Sequence, residues 1–210
     1  ALLRPGTLAL AAEKMLERFN SIQPRRVFIS RDRRKHDLFC EVLQGQGFEV
    51  SAQALINLEA IPINALPSCE WIFFASKNAV RFFFLNSPKL PEGIKIGAVG
   101  KSTADEIRKF KRRADFIGQG TDTKKIGKQF SALVGNRIVL FPQAKDSMRS
   151  VQLQLTRKEN AIDLPVYETK LIEDRSAGVK CDILVFTSPS NVDSYLKENR
   201  FSPDQKIIAM

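Results

Sequence analysis

Apolar and polar positions fall in short blocks along the chain, and the blocks predict its elements. At 8–19, Leu8, Ala11, Ala12, Met15, Leu16 and Phe19 recur at helical spacing and mark an amphipathic helix. Residues 27–30 form a short β run between Pro24 and a burst of charge. Residues 36–46 carry Leu38, Phe39, Val42 and Leu43 on one helical face and stop before Gly47, a residue suited to a helix end. A second strand opens at 48–50, and strand–helix–strand at this spacing is a parallel crossover unit. Residues 57–70 contain Pro62 and Pro67, show little periodicity, and read as a crossing into a second domain. The continuous apolar run at 71–75 suits a strand covered on both faces. A helix over 78–85 follows, then strands at 95–99, 114–117, 137–141 and 163–166, with helices near 102–111, 123–133 and 147–156. These five β/α alternations predict a flavodoxin-like, doubly wound α/β sheet. After Tyr167 and a polar stretch at 168–180, the chain begins again with a strand at 182–186 and a helix that holds Tyr195.

One stretch occurs twice. Residues 72–80 read IFFASKNAV and residues 184–192 read LVFTSPSNV, each an apolar run ending in Phe-x-Ser before a helix. Some twenty residues later KIGA (95–98) matches KIIA (206–209). A repeat of this kind implies two similar α/β domains with a cleft between them. The simplest topology makes the middle domain an insertion. Residues 25–55 and 181–210 then form the first domain and 66–167 the second, with linkers at 56–65 and 168–180 and an N-terminal extension at 1–24. The second copy stops at Met210, where the first continues into a helix, so a further strand and its helices are expected beyond it.

Composition narrows the partners. With 43% hydrophobic and 27% charged residues the chain reads as an ordinary soluble globular protein. No apolar stretch nears the ~20 residues of a membrane helix, and Glu13, Lys14, Glu17 and Arg18 interrupt the N-terminal apolar positions, unlike a secretory signal. Three scattered cysteines, Cys40, Cys69 and Cys181, lack metal-ligand spacing and point to a reducing, cytoplasmic setting with no metal site. The net charge of +10 favours an anionic partner, either nucleic acid or a small molecule. The cluster Arg25, Arg26, Arg31, Arg33, Arg34 and Lys35 is the strongest basic patch, yet no RNA-binding signature or zinc finger accompanies it.

Ligands of open parallel sheets bind beyond the carboxyl ends of the strands. The residues there are Ser30 and Arg31, Ser76, Lys77 and Asn78, 100–103, 118–123, 142–145, and Thr187, Ser188 and Ser190. Singly, each suits a helix cap. Together they offer hydroxyls and backbone N–H groups at helix N-termini, a geometry for carboxylates or phosphates. There is no Gly-x-Gly-x-x-Gly after the first strand and no Walker motif, which argues against dinucleotides and nucleoside triphosphates. His36, the lone histidine, sits in the charged start of a helix and reads as a surface residue. Tyr195 reads as packing, whereas Tyr167 stands where the chain leaves the middle domain and either donates a proton or braces a hinge.

These segments resemble uroporphyrinogen-III synthase. The matching stretches, in order, are VFISR (27–31), GFEV (47–50), WIFFASKNAVRFF (71–83), KIGAVGKSTADEI (95–107), ADFIGQGTDT (114–123), RIVLFPQAKDSMRS (137–150), LPVYET (164–169) and DILVFTSPSNVDSYL (182–196). The resemblance implies two flavodoxin-like domains, the first discontinuous, joined by a two-stranded linker. It implies a cofactor-free lyase of haem biosynthesis, monomeric and cytoplasmic, binding neither nucleic acid nor membrane. Such an enzyme closes the linear tetrapyrrole hydroxymethylbilane, losing water and inverting ring D, through an azafulvene cation and a spiro intermediate. By motif, Tyr167 matches the tyrosine that assists departure of the hydroxyl, and Ser76, Lys77, Thr103, Thr121, Ser188 and Ser190 match cleft-lining positions, with Arg31 joining them from the first strand's end. The family's final strand, helices and a loop with a cleft-facing threonine have no counterpart before Met210, and residues 1–24 fall outside the resemblance. The competing expectations are a non-catalytic two-domain binder of an anionic ligand and nucleic-acid binding through 25–35.

Overall fold

The apolar runs become the middles of two sheets. The computed structural model describes residues 26–86, 88–172 and 180–209; the expected helix at 8–19 and most of the polar stretch before 180 lie outside them. The chain divides into two compact units, one comprising the described residues of Ala1–Asn57 and Lys170–Met210, the other Leu58–Thr169.

The first unit holds β1 (Arg26–Ile29), β2 (Glu49–Ala52), β9 (Ile183–Phe186) and β10 (Lys206–Ala209) in the order β10-β9-β1-β2, all parallel. Side chains alternate across a strand, so each apolar run feeds two layers. Val27, Ile29, Ile183 and Val185 meet Phe39, Cys40 and Leu43 of α1 (Leu38–Gly45) on one face. Phe28, Leu184 and Phe186 meet Tyr195 of α5 (Pro189–Glu198) on the other. Helix α1 ends where expected, with Gly47 at φ 85°, a left-handed conformation that glycine adopts without steric cost.

The second unit holds a six-stranded sheet in the order β3-β8-β7-β4-β5-β6: β3 (Ile56–Ala60), β4 (Trp71–Phe74), β5 (Lys95–Ala98), β6 (Phe116–Ile117), β7 (Val139–Ala144) and β8 (Ala161–Leu171). From β4 the chain winds outward through β5 and β6, then returns to β7 and β8 on the other side, a doubly wound arrangement. Counted from β4 the order is 3-2-1-4-5 with β3 added at the far edge, which within this class differs from the 2-1-3-4-5 of flavodoxin itself. Ile72, Phe74 and Leu140 pack against Val80 and Phe83 of α2 (Lys77–Leu85) and Ile107 of α3 (Lys101–Lys109). Trp71, Phe73, Val139 and Phe141 pack against Ile126, Phe130 and Val134 of α4 (Thr123–Val134). The second layer is aromatic, with the Phe73 and Phe130 rings 4.5 Å apart, and Gly97 of β5 makes room for it, since a Cβ there would lie 2.6 Å from the Phe73 ring.

Three segments differ from the sequence reading. The crossing at 57–70 contains β3, which lies beside β8, with the Ile61 N–H donating to the Val166 carbonyl at 2.9 Å. Strand β8 runs well past the expected 163–166, so the chain passes between units as strand. The expected helix at 147–156 is instead two 3-10 turns, Gln152–Gln154 and Lys158–Asn160. Arg149 sits at φ 55°, off the helical path, and the Gln152 side chain bonds Gln143 of β7. Gly127 of α4 lets the first turn press close, because a Cβ there would meet Gln154 at 2.7 Å.

Candidate active site

Both copies of the repeated stretch fold the same way up to the serine. Phe74 pairs with Ala98 and Phe186 with Ala209, equivalent residues in equivalent register. Ser76 and Ser188 then stand as N-caps of α2 and α5, both in extended backbone conformation. There the copies part. The Ser76 hydroxyl accepts the Ala79 N–H at 3.1 Å, an ordinary cap. The Ser188 hydroxyl makes no cap bond; it accepts from the Asn191 side-chain amide at 2.8 Å, and the same amide nitrogen donates to the Thr187 hydroxyl at 3.2 Å. The Thr187 hydroxyl donates to the Ser30 carbonyl at 3.2 Å, and the Thr187 N–H to the buried Ser30 hydroxyl at 3.0 Å. These bonds stitch the carboxyl ends of β1 and β9 together. Ser190, half-buried, follows in the first turn of α5.

Arg31 leaves the end of β1 but turns to its own neighbours. Its guanidinium grips the Asp37 carboxylate with two nitrogens, one at 2.8 Å, and the hydrogen bond holds that carboxyl well below its usual range. Asp37 in turn caps α1 by accepting from the Cys40 N–H at 3.4 Å. Two more cations of the basic cluster are engaged: Arg26 with Asp182 at 3.0 Å and Arg33 with the Gln44 amide oxygen at 2.7 Å.

In the second unit, Lys77 is half-buried at the start of α2 and Thr121 is exposed just before Asp122, the N-cap of α4. Thr103 is 2% exposed within the first turn of α3, so its side chain faces the core. Gly118, at the end of β6, is held by close approach: a Cβ would lie 2.4 Å from the Val99 carbonyl and 2.5 Å from Ile126.

Tyr167 lies in β8 just after a register shift. Gln143 pairs with Pro165, but Ala144 pairs with Tyr167, so Val166 is an extra residue. Such a bulge re-aims the side chains beyond it. Here it sets Tyr167 on the face of Ile162 and Leu164, in the layer beneath α2. The ring is 9% exposed and stacks on Phe82 at 4.9 Å and 20°. Its phenol oxygen has no hydrogen bond among the described residues, while its carbonyl accepts the Lys145 N–H at 2.9 Å and the next residue, Glu168, pairs with the Lys145 ammonium at 3.2 Å. Ring stacking on Phe82 thus fixes the side chain, and its phenol oxygen has no partner among the described residues.

Elsewhere the chemistry is muted. Burial pushes the Cys40 and Cys181 thiols up to about 11, so neither is a ready nucleophile. The described residues hold no group of three His, Cys, Asp or Glu side chains suited to a metal ion, and no helix among them is long and apolar enough to cross a membrane. A groove of about 530 Å³ runs along α3 and the edge strand β6, lined by Arg108, Lys111, Arg112 and Arg113 over Ala104, Ala114 and Ile117. Asn191 and Asp37 are the polar residues the sequence reading passed over. Asn191 has a signal, since Ser-x-x-Asn at a helix start has the spacing of a capping box.

The family model described as Uroporphyrinogen-III synthase HemD matches residues 37–200. Among solved structures, the uroporphyrinogen-III synthetase of Helicobacter pylori superposes with a TM-score of 0.65 at 21% identity, covering 88% of this chain and 83% of that one. A mutant uroporphyrinogen III synthase of the extremely thermophilic bacterium Thermus thermophilus gives 0.56 at 13% identity, covering 88% and 84%. At these identities the likeness is one of fold. No curated relative matches the sequence.

Proposed function

The chain belongs to the uroporphyrinogen-III synthase family, and from that premise we propose that it is a lyase that cyclises hydroxymethylbilane to uroporphyrinogen III with inversion of ring D, acting as a cytoplasmic monomer. The observation that carries this reading is the family match itself, which runs through residues of both units. The balance of the reaction is a dehydration followed by ring closure. The C–O bond of the hydroxymethyl group breaks and its oxygen leaves as water after gaining a proton. A C–C bond then forms from the resulting azafulvene cation to the α-carbon of ring D that already carries a bridge, giving a spiro centre. That older bridge bond breaks and re-forms at the other α-carbon of ring D, which inverts the ring, closes the macrocycle and releases a proton, with no net oxidation.

The residues suit these steps. Tyr167, with no competing acceptor among the described residues for its phenol proton, protonates the departing hydroxyl. The substrate is a flexible polycarboxylate, which accounts for a basic chain with hydroxyls and helix N-termini at its strand ends. Ser188, Ser190, Lys77 and Thr121 hold carboxylates there, whereas the Ser76 hydroxyl is taken up as the cap of α2. Thr103, buried in α3, supports the turn from within. Arg31, neutralised by Asp37, contributes shape more than charge. Catalysis is then largely a matter of orientation, because free hydroxymethylbilane closes without inversion and the protein must hold the chain folded for the other outcome. Incubation with fresh hydroxymethylbilane tests the proposal: mostly type III product is expected, and type I alone would overturn it.

A further inference from the structure

The hydrogen bonds around Asn191 carry an inference that deepens this reading and rests on it. Asn191 is 4% exposed and its carboxamide oxygen has no hydrogen-bond partner among the described residues, although its nitrogen has two. Turning the amide over makes matters worse. The oxygen would then face the Thr187 and Ser188 hydroxyls, the Thr187 proton is already given to the Ser30 carbonyl, and both amide protons would be buried with no acceptor. An unpaired buried donor is rarer than an under-used carbonyl, so the orientation described is the stable one. In it, one amide proton enters the Thr187 oxygen and the other the Ser188 oxygen. The Ser188 proton must therefore point away from Asn191, and no acceptor for it exists among the described residues.

The first copy of the repeat shows what this displaces. Ala79 occupies the position equivalent to Asn191, and there the backbone N–H itself donates to the capping serine hydroxyl at 3.1 Å. In the second copy the backbone N–H of Asn191 goes to the Ser188 carbonyl at 3.1 Å and the side chain takes the hydroxyl. Asn191 thus exchanges a helix cap for an oriented O–H group at a strand end. We infer that Asn191 is a positioning residue that aims the Ser188 hydroxyl as a hydrogen-bond donor to a carboxylate of the tetrapyrrole substrate.

The test compares Asn191→Ala, Ser188→Ala and the double variant with wild type, reading KM and kcat with hydroxymethylbilane, the product isomers and the melting temperature. Asn191→Ala recreates the first copy: the freed Ser188 oxygen can take up the cap, so the melting temperature should hold or rise. KM should rise about 10-fold, the size of one hydrogen bond to a charged group, with kcat changed less than about 2-fold. The double variant should be no worse in KM than Ser188→Ala. Asn191→Asp offers a second route, since its carboxylate accepts the Ser188 proton and should raise KM at least as far. An unchanged KM in both Asn191 variants, or additive effects in the double variant, overturns the inference while leaving the enzyme reading intact. A fall in melting temperature and kcat at constant KM would mark Asn191 as merely structural. Wild type giving type I product alone would overturn both readings.

Discussion

The turns after β4 and β9 share a Phe-x-Ser pattern, a register and an extended backbone at the serine, yet they use their serines differently. Ser76 accepts the backbone N–H three residues on and closes α2. Ser188 accepts from the Asn191 side chain and leaves α5 without a side-chain cap. Among the differences between the copies, Ala79 against Asn191 is the one that bears on the serine: a backbone N–H meets the hydroxyl in the first turn and a side-chain amide meets it in the second. Equivalent positions in a duplicated fold therefore need not have equivalent roles, and the hydrogen bond each hydroxyl makes tells them apart.

The largest effect should come from outside both turns. Tyr167→Phe removes only the phenol oxygen, which no described residue uses, so the stacked ring and the fold should persist. Loss of a general acid commonly costs 10²- to 10⁴-fold, and a fall of about 100-fold in kcat is expected, with unchanged melting. A rate near wild type would reduce Tyr167 to a brace and leave the serine turns as the main source of control.

The six-stranded sheet ends at the two-residue strand β6, where the chain passes close to its neighbours. Gly118→Ala drives a Cβ toward the Val99 carbonyl and Ile126 and should destabilise by about 1–3 kcal/mol, the usual cost of overpacking. Denaturant melting would show it. Tolerance of the methyl group would mean that β6 can drift away from its neighbours.

The third difference is electrostatic. Glu106 of α3 is almost buried and binds Arg81 of α2 at 2.7 Å and Lys109 at 2.9 Å, and these partners hold its carboxyl down at about 2. A depressed carboxyl stabilises the fold above its ordinary value near 4.5, and that contribution is lost as pH falls from there toward about 2. Glu106→Gln should lower stability by about 1–2 kcal/mol at neutral pH, a range set by hydrogen bonds to charged groups and reduced by the exposure of both cations. It should also flatten the acid limb of the melting profile. An acid limb as steep as wild type's would assign it to other carboxylates.

Much of this was legible in the sequence, because strands covered on both faces read as unbroken apolar runs and each run lies between caps and glycines. The repeat itself foretold the matching registers of Phe74 with Ala98 and Phe186 with Ala209. What escaped depended on distant partners. Ile56 and Leu58 alternate too briefly, between charged and proline-bearing neighbours, to declare β3 without β8 beside it. The turn at Gln152–Gln154 replaces a helix because of Gln143 on another strand and a glycine gap on α4. The facing of Tyr167 depends on one extra residue, Val166, that no periodicity reveals. In the site, Ser188 was legible as a strand-end hydroxyl, whereas Asn191 becomes visible only when the copies are aligned and the bond that Ala79 permits is compared with the one Asn191 replaces.

The smallest effects decide the most. Ser76→Ala and Ser188→Ala, measured side by side for stability and for KM with hydroxymethylbilane, test the divergence of the two turns directly. Ser76→Ala should cost about 1 kcal/mol of stability, as lost caps do. Ser188→Ala should leave stability within about 0.5 kcal/mol, as substitutions away from caps and core do, while raising KM about 10-fold. Equal losses of stability with KM unchanged in Ser188→Ala would contradict the account, because both serines would then be caps and nothing more.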